Sequence, residues 1–415
     1  MAGVVTPLRK GDEMRPVFRV VLGVLFGLSL ATAGRADPGF DRWVVSFWPT
    51  AQAEGVSRAT YDAAFRGLSP DPEVLEKARH QPEFVTPLWE YVSTRVSERR
   101  IETGREMLAR YRLLLDRIEA TYGVDRHILV AIWGMESHYG EVLGNPKIVK
   151  NVIRSLATLA YADPRRQRFG RQQLVAALKI LERGDISVAG MTGSWAGAMG
   201  HTQFIPTTFE AYAVDFDGDR RRDLWNSPAD ALASAGNYLA KAGWVSSKTW
   251  GYEVILPRDF DYRLADGDTT HTIAEWNRLG ARRARGEGFP RPGDEAELLA
   301  PAGAGGPAFL LLRNHFVIKR YNNATAYSLA VGHLADRLRG GGDFVQAWPV
   351  GDRPLSAAES AELQEHLARA GLYGGAIDGK IGPQSREAIR AYQNRRGMIA
   401  DGWAGLQLLE TLRSG

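Results

Sequence analysis

Apolar residues recur at intervals of three and four along residues 40–338, a spacing typical of amphipathic helices. Residues 97–123 place apolar side chains on one broad face, and Gly123 supplies a stop. Residues 229–244 repeat the pattern, with Pro228 just ahead and Gly243 just past the last turn. Alternating β-branched runs are few, so the sequence predicts a mainly α fold.

A small β element is predicted beside these helices. Residues 252–257 (YEVILP) and 309–321 (FLLLRNHFVIKRY) are β-prone and favour a minor sheet or edge. Residues 281–308 are rich in Gly, Pro and Arg, and we interpret them as a long irregular insertion.

A second break in the pattern divides the chain. Residues 339–354 (RGGGDFVQAWPVGDRP) lose the periodicity and gain Gly and Pro, which is typical of a linker. Three short helices with Gly-rich turns are predicted after it, a unit large enough for little more than a binding surface. We therefore expect a main domain over 37–338, a linker over 339–354 and a small module over 355–415.

The N-terminus has the pattern of a secretory signal peptide. Basic residues from Met14 precede an apolar stretch from Val20 that ends in small residues, and cleavage after Ala33 or Ala36 satisfies the small-residue rule. A transmembrane anchor is the alternative, but the run is shorter than the ~20 residues that span a bilayer. We assign residues 1–36 to the signal peptide and expect a periplasmic protein without a stable membrane anchor.

Composition and net charge limit the classes of binding partner that we expect. A chain of 415 residues exceeds one compact core, and 44% hydrophobic with 24% charged residues is ordinary for a folded soluble protein. The net charge of +4 comes from Arg spread along the chain and favours anionic partners such as nucleic acid, lipid or acidic cell wall. No zinc-finger spacing, RNA-binding signature or basic zipper occurs, so we expect no nucleic-acid partner. The absence of Cys excludes disulfides and a lipid-modified Cys.

One carboxylate ends a strongly apolar helix. Residues 127–136 read HILVAIWGME, and Glu136 has no Lys or Arg within that run. Burial and the negative end of the helix dipole both raise the pKa of such a carboxyl, which suits a general acid near neutrality. A solvent-facing glutamate at a helix end is the alternative, and Glu136 taken alone favours it.

A second stretch, residues 193–219 (GSWAGAMGHTQFIPTTFEAYAVDFDGD), adds small and neutral polar residues. Its glycines allow close approach of the backbone to a flat ligand. Ser194 and Gln203 offer hydrogen-bonding groups suited to amides and hydroxyls. A tight turn between helices explains the glycines equally well but leaves Gln203 unexplained.

An acidic loop follows with the odd-position spacing of an EF-hand. Its carboxylates are Asp215, Asp217, Asp219 and Asp223. The sixth position, normally Gly because of its positive φ, is Arg220, and residues 220–222 bring three cations to the loop. A structural turn is therefore the alternative to a calcium site.

These blocks together resemble a known family. WGMESHYG, GSWAGAMGHTQFIPTTF, YAVDFDGDRRRDLWNSPADALASAGNYLAKAGW and RYNNATAYSLAV are similar to the catalytic domain of the membrane-bound lytic transglycosylase B family, over residues 40–338. Residues 355–413 separately resemble a three-helix peptidoglycan-binding module, with DGKIGPQSREAIRAYQ as the motif. Without a Cys after the signal, the chain resembles the soluble branch of the family.

The resemblance implies a lysozyme-like fold with Glu136 as sole catalytic acid and base. The family cleaves the β-1,4 bond between N-acetylmuramic acid (MurNAc) and N-acetylglucosamine (GlcNAc) without water, leaving a 1,6-anhydroMurNAc end. Ser194 and Gln203 match positions that hydrogen-bond around the 2-acetamido group and Glu136. Further positions match residues that line the glycan groove: Tyr91, Asn237, Tyr238, Tyr321 and Asn322. Arg165 and Arg166 either meet stem-peptide carboxylates or form a solvated helix start.

The resemblance also implies partners and a candidate metal. Peptidoglycan glycan strands are the expected partner and no cofactor is required, although some family members hold calcium at the acidic loop, with Asp230 completing the shell. Two alternatives remain open: a hydrolytic muramidase of the same fold, and a non-catalytic peptidoglycan-binding scaffold. A hydrolase needs a second carboxylate at about 5 to 9.5 Å. Locally only Glu141 is offered, and we expect it at the surface.

Overall fold

A computed structural model describes residues 37–79 and 86–414. The predicted signal peptide, residues 1–36, lies outside this described part of the chain. The described residues form seventeen α-helices and seven short strands, so the predicted mainly α class with a small β element is confirmed. No helix within these two ranges is both long and apolar enough to cross a bilayer.

The helices of the large domain are α1 (Pro38–Ala53), α2 (Arg58–Phe65), α3 (Pro72–Arg79), α4 (Leu88–Arg95), α5 (Glu98–Arg110), α6 (Arg112–Tyr122), α7 (Arg126–Ser137), α8 (Val152–Ala162), α9 (Gln167–Arg183), α10 (Pro206–Tyr212), α11 (Pro228–Lys241), α12 (Ile273–Arg278), α13 (Arg313–Tyr321) and α14 (Thr325–Leu338). The C-terminal module contributes α15 (Ala357–Arg369), α16 (Pro383–Arg395) and α17 (Leu406–Arg413). The strands are β1 (Lys150–Asn151), β2 (Thr192–Gly193), β3 (Gly251–Ile255), β4 (Thr270–Thr272), β5 (Arg282–Arg283), β6 (Glu295–Leu299) and β7 (Ala308–Leu312).

Two hydrophobic cores meet inside the large domain. One is built around α7 and α14 and includes apolar residues of α5, α6, α11 and α13. The other joins α1, α2, α8 and α9 to residues 191–225. Tyr238 and Tyr321 pack against both cores and therefore mark the seam between them.

Helix α7 lies at the centre of the first core. Nine of its twelve residues are buried, and the three that are not are Arg126 and His127 in its first turn and Glu136 near its end. The helix runs antiparallel to α14, because Asp125 at its start pairs with Arg339 just past the end of α14, at 2.6 Å. This arrangement brings the end of α7 to the start of α14.

A five-stranded antiparallel sheet forms a satellite core in the order β4-β6-β7-β3-β5. Strand β7 is buried at all five positions and pairs with β3, with Val254 opposite Ala308. Its sequence, AFLLL, is the continuous apolar run expected of a central strand.

Three local predictions were wrong. Residues 97–123 form two helices, because the backbone leaves the helical range at Tyr111, where φ is −101° and ψ is 19°. Residues 313–321 are helical, because Asn314, His315, Val317 and Ile318 are buried at helical spacing. Residues 281–308, predicted to be irregular, contain β5 and β6, and the latter alternates Ala296 and Leu298 inward.

The segment 339–354 contains no helix or strand, yet it is fixed to both neighbouring parts. The Glu253 carboxylate accepts hydrogen bonds from the backbone N–H groups of Val345 and Gln346. Trp348 packs against Trp89 and Phe309, with ring centroids 6.0 and 6.2 Å away. At its other end, the Asp352 carboxylate accepts from Trp403 Nε1 of the module at 2.9 Å, so the linker contacts both parts.

Candidate active site

Glu136 is the penultimate residue of α7 and lies at the seam of the two cores. The chain beyond it turns sharply through His138, Tyr139 and Gly140, whose φ angles are 50°, 59° and 91°. Two of these are not glycine, and each such left-handed residue costs roughly 1 kcal/mol or more. The turn is stabilised by Ser137 Oγ, which donates to the backbone oxygen of His201 at 2.7 Å.

The Glu136 carboxyl is partly accessible from the groove but surrounded by protein atoms on its other sides. Tyr327, in the first turn of α14, donates its hydroxyl to Glu136 Oε1 at 2.6 Å. Loss of hydration raises the pKa of Glu136 to about 7, and it outweighs the Tyr327 hydrogen bond and the charge of Arg95, which both lower it. The carboxyl is therefore divided between its acid and base forms near neutral pH.

Tyrosines surround this carboxyl. The field of Glu136 contributes to raised pKa values for Tyr91, Tyr321 and Tyr327, although burial is the main cause for all three. Tyr321 donates to the backbone oxygen of Thr202 at 2.6 Å, which joins α13 to the loop after β2. Tyr238 stacks edge-on against Tyr321 with centroids 5.1 Å apart. The groove next to Glu136 is thus aromatic and largely neutral.

Ser194 and Gln203 hydrogen-bond within their own loop, and no hydrogen bond links either one to Glu136. Ser194 Oγ accepts from the backbone N–H of Ala198 at 3.0 Å. Gln203 adopts a φ of 50°, and its amide donates to the backbone oxygen of Gly200 at 2.8 Å. These bonds give Gln203 a structural role, while its side-chain carbonyl keeps the capacity to accept a hydrogen bond.

Several predicted groove residues already use their polar groups. Asn237 donates to the backbone oxygen of Tyr212 at 2.8 Å, and the Tyr238 hydroxyl donates to the backbone oxygen of Arg320 at 2.6 Å. Asn322 is exposed just after α13 ends. Asn237 can therefore offer a substrate its side-chain carbonyl oxygen, and Tyr238 its ring face, more readily than either can offer a hydrogen-bond donor.

The two arginines predicted to meet peptide carboxylates differ. Arg166 is bound to the protein itself: it donates to the backbone oxygen of Ala78 at 2.6 Å, pairs with Asp163 and lies over the Trp195 ring. Arg165 is exposed at the start of α9. Of the pair, only Arg165 is placed as a solvent-facing cation.

His201 and Trp133 were missed by the sequence analysis and support the end of α7. Trp133 Nε1 donates to His201 Nδ1 at 3.0 Å, and burial lowers the pKa of His201 to about 4. The imidazole is therefore neutral and accepts at Nδ1. A histidine inside the glycine-rich stretch was a visible signal, but its partner lies 68 residues away.

The acidic loop brings together most of its predicted ligands. Asp215, Asp217, Asp219 and Asp230 each offer a carboxylate oxygen, and these oxygens all lie within 4.8 Å of one another. Asp223 is not part of this cluster, which corrects its predicted place: its carboxylate accepts from the backbone N–H groups of Trp225 and Asn226.

The loop geometry resembles that of a cation site. Arg220 takes the positive φ, 75°, usual for Gly at the sixth position. Arg222 is turned away and pairs with Asp185 at 2.6 Å. Burial is the largest cause that raises the pKa of Asp230, to about 6, and the Asp217 charge adds to it. Ligands on opposite sides of Ca²⁺ lie about 4.8 Å apart, so the donor set fits that ion.

Comparisons with known proteins agree with this geometry. Residues 39–336 match the transglycosylase SLT domain, and residues 356–412 match a peptidoglycan binding domain. The membrane-bound lytic murein transglycosylase B of Escherichia coli is 31% identical over 262 residues, which cover 62% of this chain and 65% of that protein. The chain thus spans just under two thirds of that curated relative.

Solved structures are similar as well. SltB3 from Pseudomonas aeruginosa, in complex with NAG-anhNAM-pentapeptide, has a TM-score of 0.82 and 50% identity, covering 91% of this chain and all of that one. Escherichia coli Slt35 in complex with calcium has a TM-score of 0.61 and 26% identity, covering 73% of this chain and 93% of that one. The predicted lysozyme-like, mainly α class with a three-helix C-terminal module is confirmed.

Proposed function

Since the chain belongs to the transglycosylase SLT domain family, we propose that it is a lytic transglycosylase that cleaves the β-1,4 MurNAc–GlcNAc bond of peptidoglycan. The single observation that carries this proposal is an isolated carboxyl, Glu136, hydrogen-bonded by Tyr327 in an aromatic groove. The peptidoglycan binding match at residues 356–412 supports the same substrate.

Glu136 serves first as the acid. With a pKa of about 7 it keeps its proton on a large fraction of molecules near neutrality. Because the Tyr327 hydroxyl donates to Oε1, the proton of the neutral carboxyl resides on Oε2. This proton goes to the glycosidic oxygen as the C1–O bond breaks, and the leaving GlcNAc departs as a free 4-hydroxyl.

The same carboxylate then serves as the base. The substrate's 2-acetamido group stabilises the oxocarbenium-like centre at C1, and Glu136 removes the proton of the C6 hydroxyl as that oxygen bonds to C1. The Tyr327 hydrogen bond stabilises the carboxylate between the two steps. Atoms balance without water, and Glu136 ends in its starting protonation state.

A second carboxylate is not found beside Glu136 in the ranges 37–79 and 86–414. Arg95 is the one charged side chain there whose field contributes to the pKa of Glu136, and no carboxylate contributes. Glu141, the local candidate, is exposed and pairs with Arg99 at 3.1 Å. One carboxyl favours the anhydro reaction over hydrolysis, because both hydrolytic geometries require two.

Substrate contacts follow from which groups remain available. Tyr91 and Tyr321 offer ring faces to the sugars, and the Gln203 carbonyl can accept from an acetamido N–H. Ser194, Asn237, Tyr238 and Asn322 line or shape the groove, and Arg165 can meet a stem-peptide carboxylate. Arg166 holds α9 in place.

Calcium and export complete the proposal. Asp215, Asp217, Asp219 and Asp230 would hold Ca²⁺, which would neutralise four clustered carboxylates and so stabilise the loop. Residues 1–36 would direct export to the periplasm and be removed there. The module at 355–415 would then retain the enzyme on the wall.

The test is mass spectrometry of peptidoglycan sacculi digested by the purified protein. Anhydro-MurNAc ends are expected from the wild type and from Glu141→Gln, the surface control, while Glu136→Gln should lose activity by several orders of magnitude. Reducing MurNAc ends would instead identify a hydrolytic muramidase, and no products from wild type would identify a scaffold.

A further inference from the structure

A cleft of about 1270 Å³ lies between α4 and the C-terminal module. Glu90 and Ser93 of α4 line one wall, Ile381 and Arg386 of the module line the other, and Pro354 of the linker lies between them. The catalytic carboxyl, Glu136, does not line it.

Helix α4 separates this cleft from the active site. Tyr91 and Arg95 lie on the face toward Glu136, where the Arg95 guanidinium stands 5.5 Å from the Tyr91 ring centre. Glu90 and Ser93, one and two positions from Tyr91, lie on the cleft face. A ligand in the cleft is thus only one helix away from the reacting glycan.

The cleft is preformed because its walls are fixed to each other. The Asp352 carboxylate accepts from Trp403 Nε1 at 2.9 Å and from the Gln407 backbone N–H at 2.8 Å. Asp401 of the module accepts from the backbone N–H of Ala304 at 2.8 Å. Binding of a ligand here therefore requires little loss of conformational entropy in the protein.

The two walls carry opposite charges that form no salt bridge with other described residues. No described carboxylate lies within salt-bridge distance of Arg386, and no described cation lies that close to Glu90. Glu359, also at the cleft, is already paired with Arg353 at 2.6 Å. Loss of hydration and the neighbouring Arg390 lower the pKa of Arg386, while the charge of Asp401 raises it in part, so a further anionic partner would stabilise this guanidinium.

We propose that this cleft binds the peptide stem of peptidoglycan, with Arg386 donating to a stem carboxylate and Glu90 accepting from the ammonium of its diamino acid. The proposal rests on the proposed function, because it takes peptidoglycan as the substrate. A stem peptide is the occupant that carries both charges, whereas the glycan is neutral at GlcNAc. Leu355, Ile381 and Ala404 supply apolar surface for alanine methyl groups.

The aromatic residues of the cleft favour the same occupant over a sugar chain. Trp89 is only 6% exposed, and the Trp403 indole N–H is already bonded to Asp352. Sugar recognition by stacking requires an open aromatic face. Trp89 offers little of one, and the Trp403 N–H is not free to bond a sugar hydroxyl, which favours recognition by the charges of the cleft.

Isothermal titration calorimetry with a synthetic stem tetrapeptide whose N-terminus is blocked, N-acetyl-L-Ala-γ-D-Glu-meso-diaminopimelate-D-Ala, tests the proposal. The full chain carrying Glu136→Gln serves as the parent, so that turnover does not interfere in any arm. Adding Arg386→Gln should weaken binding about tenfold or more, because a charge-assisted hydrogen bond is lost. Adding Arg369→Gln, an exposed arginine on α15 outside the cleft, should leave the Kd unchanged.

The second wall has its own test. Adding Glu90→Gln to the parent should also weaken binding of the tetrapeptide. Acetylating the ammonium of the probe's diaminopimelate should abolish the difference in Kd between the parent and the Glu90→Gln variant. If the parent does not bind the tetrapeptide, or Arg386→Gln binds it as well as the parent does, the proposal is wrong.

A parallel digest of sacculi by the wild-type chain keeps the two proposals separate. Anhydro ends without binding of the stem tetrapeptide would refute the cleft and leave the enzymatic proposal standing. Binding that depends on Arg386 without anhydro ends would support the cleft and refute the enzymatic proposal.

Discussion

The hydrogen bond from Tyr327 to Glu136 gives the sharpest prediction. Tyr327→Phe removes only the hydroxyl, from a ring that is 3% exposed and packed in the first core. The hydroxyl donates to Glu136 Oε1 at 2.6 Å and lowers the carboxyl pKa. Its loss should therefore raise that pKa above its present value of about 7.

The size of the shift follows from the bond. A hydrogen bond to a charged group contributes about 1.5–3 kcal/mol. One pKa unit corresponds to about 1.4 kcal/mol, so we expect a rise of about one to two units. The variant destabilises the ionised form of Glu136. The carboxyl therefore stays protonated to higher pH, and its carboxylate form is a stronger base but a smaller fraction of the molecules.

The assay is the pH dependence of kcat/KM for release of anhydro products from soluble glycan strands. Because the first step needs protonated Glu136, activity falls above its pKa, and Tyr327→Phe should move this descending limb about one to two units toward higher pH. Tyr61→Phe is the matched control, since Tyr61 is 2% exposed and its hydroxyl donates to the Val44 backbone oxygen, also at 2.6 Å. A limb that stays in place in Tyr327→Phe would refute the reasoning.

Three further predictions concern stability. The pKa of Glu136 rises from 4.5 to about 7 on folding, so the native state loses stability as pH rises through that window. In urea unfolding at pH 8, the free energy of unfolding of Glu136→Gln should exceed that of wild type by up to about 3 kcal/mol. At pH 4 the two proteins should be equally stable. Calcium at one hundred times its Kd should stabilise the wild-type protein by about 2.7 kcal/mol in thermal unfolding. The Asp230→Asn variant should lose this stabilisation, and the Asp223→Asn variant should keep it. An unchanged unfolding midpoint in wild type would contradict the calcium site. In Gly134→Ala the new Cβ would lie 2.6 Å from the Tyr139 ring, so this variant should lose about 1–3 kcal/mol of unfolding free energy in the same measurement. The control Gly144→Ala has open space around the new Cβ and should be nearly as stable as wild type.

The sequence predicted the helical class and the singular position of Glu136, because both are local. An apolar run with 3.6-residue spacing that ends on one carboxylate is visible without any partner. Tyr327 could not be found this way, since it lies 191 residues further on and meets Glu136 only because α7 and α14 pack antiparallel. Which residues surround the Glu136 carboxyl is determined by tertiary packing.

Several predicted site residues already hydrogen-bond to the backbone. Asn237 and Arg166 both looked available, but each donates to a backbone oxygen, of Tyr212 and of Ala78. Asp223 fitted the spacing of a metal loop, yet its carboxylate caps the turn at Trp225. The acceptors of Asn237 and Arg166 lie in other segments of the chain, so spacing along the sequence does not reveal them.

The identity of the glycan ends tests the central claim most directly. Sacculi digested by the wild-type chain should yield 1,6-anhydroMurNAc ends by mass spectrometry, and Glu136→Gln should release almost none while retaining binding to the sacculi. Reducing MurNAc ends from the wild type, or full anhydro release from Glu136→Gln, would contradict a single carboxyl that acts as acid and then as base.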